Sequence, residues 1–190
     1  MTATPGWEPG PGRALFDALQ AALGELPIVA EDLGIITPDV AQLLADCGFP
    51  GMRVLQFAFS QDAQHSYLPH RHCRRTVAYT GTHDTNTALG WWLDASDHER
   101  RFAGSYLPAT ATDIHWGLIR AASNSVAELA IFPFQDVLGL DASHRMNIPG
   151  TATGNWGWRF DWSQVGPEPG RVLGLITAAS GRGPFELLGH

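Results

Sequence analysis

The stretch that decides the fold is TVAYTGTHDTNTALGWW, residues 76–92. Strand-forming Thr76-Val77-Ala78-Tyr79 stops at a glycine, Gly81, and His83 and Asp84 follow at once. A helix is expected to start near Asn86. A second stretch, LPIVAEDLGIITPDV from Leu26 to Val40, has the same layout. Apolar Ile28-Val29-Ala30 ends in two carboxylates, Glu31 and Asp32, and Thr37-Pro38 then reads as an N-cap with proline at the first helical position. A short apolar run bounded by turn residues is a buried strand. Acids placed where it stops mean that its end opens on a site.

Outward from these stretches the remaining elements follow by periodicity. Residues 1–12 read as loop, since Pro5, Pro9 and Pro11 sit among glycines. Leu15, Phe16, Leu19, Ala22 and Leu23 keep the helical period over 13–23, and Gly24 is a stop. Strands are expected at 27–30, 52–59, 76–79 and 128–134. Helices are expected from Pro38 to just before Gly48, within 94–125 with a break at Leu107-Pro108, and near 171–180. Asp113 reads as a cap for 114–122, and 60–75 as a polar, histidine-rich loop. Strands alternating with helices give an α/β fold with a parallel sheet covered by helices, and such sheets meet ligands at the carboxyl ends of their strands.

Composition narrows the function. The chain has 190 residues, 44% of them apolar and 16% charged, which supports a packed core over disorder. A net charge of −7 argues against nucleic acid and anionic membrane as partners. All 12 basic residues are arginine, which we read as a bias of composition. Two isolated cysteines, Cys47 and Cys73, make neither a disulfide framework nor a zinc site. No secretory leader and no apolar run of about 18 residues is legible, so the expectation is a soluble cytoplasmic protein. Seven tryptophans leave two readings open, core packing or stacking on sugar rings.

Glu31 and Asp84 stand at the ends of two strands. If the strands share a sheet, two carboxylates face one cleft, the equipment for glycosidic bond cleavage, in which one acid stays protonated near neutral pH. The plainer reading makes Glu31 and Asp32 helix caps or arginine partners. His83 is either a donor to a substrate hydroxyl or a structural histidine. His65, His70 and His72 sit in a polar loop without a nearby acid, a poor metal set. PGTATGNWGWRF, which holds Asn155 and Trp156, lacks the strand and lysine of a phosphate loop and reads as a turn or a tryptophan-rich substrate wall.

At these residues the chain resembles a known family. IVAEDLGIITPDV, FPGMRVLQFAF, VAYTGTHDTNT, AIFPFQDVLGL and RMNIPGTATGNWGWRF, in this order, are similar to the amylomaltases, the 4-α-glucanotransferases of glycoside hydrolase family 77. The resemblance runs from about Trp7 to Trp162. The family's HDNDT stands here as HDTNT, differing at Thr85 and Asn86 and leaving Asp84 in place. The resemblance implies a (β/α)8 barrel of which this chain is the C-terminal part, about strands five to eight, with 1–12 a remnant of the preceding unit and 13–190 half of the catalytic domain. It implies a retaining mechanism acting on malto-oligosaccharides or starch- and glycogen-derived α-glucans; carboxylates do all the chemistry of such a mechanism, so no cofactor is expected, and the histidines and cysteines suggest no metal. Glu31 in AEDLG then looks like the acid/base and Asp84 in GTHD like the transition-state stabiliser, a role that replaces the nucleophile suggested by the bare pattern. His83, Asp32, Asn155 and Trp156 look like substrate-site residues, Asp32 mainly supporting Glu31. The family's nucleophile belongs to an arginine–aspartate motif on the preceding strand, which is expected upstream of Met1. A complete barrel needs about 250 residues, so the expectation is a fragment that self-associates or pairs with a missing half, and that binds glucan at most if left alone.

Overall fold

The computed structural model describes residues 10–184. Most of the loop expected over 1–12, Trp7 included, lies outside the described residues, as does the segment 185–190. The chain divides into two compact units, one through Met52 and one from Arg53 onward.

The first unit is built on two helices, α1 (Arg13–Leu23) and α2 (Pro38–Cys47). Phe16 of α1 meets Phe49 edge-on at 5.1 Å, and the Arg13 guanidinium donates to the Asp46 carbonyl at 2.8 Å. Thr37 stands at the N-cap with Pro38 behind it, as the sequence predicts. Its hydroxyl is turned to the Asp39 carboxylate, which it holds below the usual aspartate range. Gly48, at φ 72°, closes α2 by donating to the Leu44 carbonyl at 3.1 Å, a left-handed ending that favours glycine. The strand expected at 27–30 does not form. The Ile28 N–H turns back on the Leu26 carbonyl (2.9 Å) where a strand would offer it to a neighbour, and Ala30 donates once, to Pro50 (2.9 Å).

A three-stranded sheet runs β1 (Gly51–Val54), β2 (Thr76–Tyr79), β3 (Leu129–Ile131), in that order. Strands β2 and β3 are parallel, with Val77 opposite Leu129 and Tyr79 opposite Ile131. The strand expected over 52–59 stops at Val54, and Leu55–Phe57 tighten into a 3-10 turn. Leu55, Ala58 and Phe59 are all fully buried, a spacing of three and four residues that a turn can deliver and a strand cannot. The strand expected over 128–134 is shorter too, because Pro133 has no N–H for a ladder. It precedes the short helix α6 (Phe134–Val137).

The crossover from β2 to β3 carries α3 (Ala88–Asp94), α4 (Asp97–Tyr106) and α5 (Ile114–Ser123). Helix α3 starts at Ala88 rather than near Asn86, since Thr87 caps it by accepting from the Gly90 N–H at 3.1 Å. Ser96 and Glu99 form a reciprocal capping box on α4. Asp113 stands before α5, but its carboxylate serves the loop: it accepts the Thr110 N–H at 2.5 Å and the Thr110 hydroxyl. Helix α7 (Pro167–Ala179) begins earlier than the expected 171 because Pro167 occupies its first position. After it, Arg182 donates to the carbonyls of Ser123, Ser125 and Ala127 at 2.7–2.9 Å, tying α7 to the end of α5 and the approach to β3.

The core is one cluster around Leu55, Phe59, Leu68, Ala78, Ile114 and Leu118, with a satellite of Ile119, Val137 and Ile176 under α7. Phe59 is ringed by Trp91, Phe102 and Tyr106 at 5.7–5.9 Å. Core packing accounts for Trp91, Trp92 and Trp116, whereas Trp156 and Trp162 are exposed.

Candidate functional site

Strand β2 ends at Tyr79, and residues 80–87 form a loop before α3. The loop closes on itself. The Thr82 N–H donates to the Thr85 hydroxyl (2.9 Å), and the Asp84 N–H donates to the Thr82 hydroxyl (3.2 Å). Gln56, nearly fully buried, donates from below to the Asn86 carbonyl at 2.8 Å. Gly81 lies so close to the Gln56 amide and the Thr85 hydroxyl that a Cβ there would collide with both. Asn86 accepts the Thr87 N–H and donates to Asp94, both at 2.9 Å. Thr85 and Asn86, the two positions that differ from HDNDT, thus brace the loop with their own bonds.

The loop presents His83 and Asp84, each side chain about half exposed. Asp84 Oδ1 accepts from the Asn147 amide at 2.6 Å, and His83 Nε2 lies 3.3 Å from the same oxygen. Arg145 donates to the Asp84 carbonyl at 3.0 Å. The His83 ring lies against the Trp156 indole, centroids 5.1 Å apart and 36° between planes.

Trp156 has φ 60°, the left-handed region that a bulky side chain enters only at a cost of roughly 1–2 kcal/mol. Its N–H donates to the Met146 carbonyl at 2.7 Å, and Arg159 donates to its carbonyl at 3.0 Å. These bonds hold the indole against His83, with Trp156 55% exposed. Asn155 is spent locally: it accepts the Ile148 N–H at 2.9 Å and donates to Thr151 (2.9 and 3.1 Å), closing the loop between them. Further along, Trp158 stacks on Phe160 at 5.6 Å. A cavity of about 310 Å³ lies between that pair and α7, lined also by His144, Arg159 and Gln164.

Beneath the loop sits a carboxylate that sequence reading missed. Asp136 is 1% exposed and accepts the Thr80 hydroxyl (2.5 Å) and the Ala88 N–H (2.7 Å). Burial raises its pKa to about 6, against the pull of those two donors. Arg145 and Asn147 were missed as well. They lie 61 and 63 residues from Asp84, and no local pattern links them to it.

Glu31 and Asp32 belong to the first unit. Glu31 is exposed. Asp32 is 8% exposed and accepts the Met52 N–H at 2.5 Å, with Gly51 against its carboxylate leaving no room for a Cβ. Of the residues singled out from sequence, His83, Asp84 and Trp156 come together in the second unit, and Asn155 supports the same segment. The loop histidines are otherwise engaged: His70 bonds the Tyr106 hydroxyl (3.0 Å), and His72 Nε2 the Tyr67 carbonyl (2.9 Å). Burial lowers the pKa of His72 from the ordinary histidine value, against the pull of the Tyr67 carbonyl.

Residues 2–164 match the profile of glycoside hydrolase family 77, described as 4-alpha-glucanotransferase. A 4-alpha-glucanotransferase of Synechocystis is 50% identical over 93% of this chain and 35% of its own length. One from Thermus thermophilus is 43% identical over 93% and 37%. The solved structure of an amylomaltase from Streptococcus agalactiae in complex with acarbose superposes with a TM-score of 0.86 at 35% identity, covering 94% of this chain and 37% of that one. The chain thus spans about a third of the length of these relatives.

Proposed function

Because the chain belongs to glycoside hydrolase family 77, the 4-alpha-glucanotransferases, we propose that it is the C-terminal part of a (β/α)8 catalytic barrel that moves 4-α-glucan segments between malto-oligosaccharides. Strands β1, β2 and β3 take the places of barrel strands six, seven and eight, and the segment ending in Glu31 takes that of strand five. The observation that carries the reading is the constellation after β2: Asp84 held on Oδ1 by Asn147, with His83 beside it and an exposed Trp156 in a strained backbone. Acarbose, in the amylomaltase of Streptococcus agalactiae, is the ligand class that such an indole suits.

In this reading Glu31 protonates the leaving glycosidic oxygen, then as carboxylate takes a proton from the hydroxyl of the acceptor sugar. Asp84 stabilises the oxocarbenium-like transition state. The nucleophile comes from the part of the relatives that this chain does not span. A second reading, a remnant that only binds glucan, rests on the exposed Trp156 indole beside His83.

One assay separates the two. The purified chain should leave maltotriose unchanged. A fusion to the remaining part of the Synechocystis relative should yield glucose and longer glucans. In the fusion, Glu31→Gln should lower the rate about 10²–10⁴-fold. A glucosyl fluoride, whose leaving group needs little protonation, should escape part of that loss in the glycosylation step. Equal loss on both donors argues against the acid role, and an inactive fusion favours the remnant.

A further inference from the structure

Two buried side chains of helix α6 bond to segments on either side of it in the chain. Asp136 reaches back to Thr80, at the end of β2, and to Ala88, at the start of α3 (2.5 and 2.7 Å). These anchors bracket residues 81–87, the loop that carries His83 and Asp84. Gln135, 7% exposed, reaches forward and donates to the His144 carbonyl at 3.2 Å. Arg145 and Asn147, the two donors that grip Asp84, follow directly.

We propose that Gln135 and Asp136 form a positioning pair that sets the loop carrying Asp84 against the segment carrying Asn147, and so aims the Asp84 carboxylate. Both ends of the Asp84–Asn147 bond are tethered to adjacent residues of one helical turn. That turn is anchored in the core through Val137, which packs on Ile119 and Ile176. A shift of α6 moves both ends together and leaves the bond intact, whereas loss of one tether frees one end. The functional meaning of the pair rests on reading Asp84 as a site carboxylate, while its geometry does not.

Three variants test it. Gln135→Met keeps the length of the side chain and removes its donor. Asp136→Ala removes both acceptors. Asp136→Asn keeps an acceptor for Ala88 and offers Thr80 a donor. Hydrogen exchange is measured on the full chain at pH 7 for the Thr82 and Asp84 amides and the Asn147 side-chain amide, with the amides of α4 and α5 as internal reference. The Asn147 amide should exchange at least about tenfold faster in Gln135→Met, and the loop amides likewise in Asp136→Ala, with the reference unchanged. Asp136→Asn should restore the original rates. Unaltered rates at these groups in folded Gln135→Met, or equal acceleration in α4 and α5, would overturn the proposal. If Asp136→Ala does not fold, Gln135→Met decides alone. Exchange requires no turnover, so a chain that leaves maltotriose untouched still tests the pair, and failure of the glucanotransferase reading is seen separately.

Discussion

Asp136 is an acid sealed between two donors, and its protonation is linked to folding. Its pKa rises from the ordinary 3.8 to about 6 because burial costs the charged form more than the Thr80 and Ala88 bonds return. The folded chain therefore binds more protons than the unfolded chain between those values, and stability falls as pH rises through that window. The contribution is fully present below about pH 4 and lost above about pH 6. Two pKa units correspond to about 3 kcal/mol. Urea unfolding from pH 4 to 7 should show that decline over and above the rest of the chain, and Asp136→Asn should remove it. An identical pH profile in the variant would mean that Asp136 does not titrate in this range. Of the candidate site residues, His83, Asp84 and Trp156 are legible because each sits in a short stretch with its own pattern. Arg145, Asn147 and Asp136 are not, because each matters through a partner dozens of residues away.

At the scale of the element, what ends a helix or strand here is as often a long-range bond as a local signal. Thr87 and Ser96 cap α3 and α4 by accepting from the N–H three residues further along. The connection from α7 back to β3 depends instead on Arg182, whose guanidinium collects carbonyls of Ser123, Ser125 and Ala127. Hydrogen bonds to a charged donor contribute roughly 1.5–3 kcal/mol. Arg182→Met keeps much of the aliphatic stem and leaves those carbonyls without the guanidinium. It should cost about 2 kcal/mol in chemical denaturation, with protection lost first at the end of α5. A cost near zero would show that water replaces the guanidinium.

For the whole molecule the exposed apolar surface is the telling feature. Leu129 and Ile131, two apart on β3 and so on one face, are 53% and 45% exposed, with Val126 at 54% just before them. Strand β3 is also the last in the described sheet and offers one edge without a described neighbour. The chain spans about a third of its relatives' length, and in the proposed barrel this edge strand gains a neighbour on its open side. The purified chain should therefore elute above monomer size, and Leu129→Lys should shift it toward monomer without changing its far-UV circular dichroism. Elution at monomer size before the substitution would show that this face is tolerated in water.

By itself the sequence determined the α/β class, the strand 76–79 with the His83–Asp84 loop behind it, the helices at 13–23 and 38–47, and the resemblance to the family. All of these are carried by neighbours in the chain, where propensity, capping and period act. Only the tertiary structure decided that 27–30 forms no strand, that the run from Met52 leaves its strand at Val54, and that Asp84 is held by Asn147 and braced from α6. A short apolar run is compatible with strand, turn or helix until its hydrogen-bond partners arrive. A buried carboxylate gives no sign of its burial until the chain closes over it.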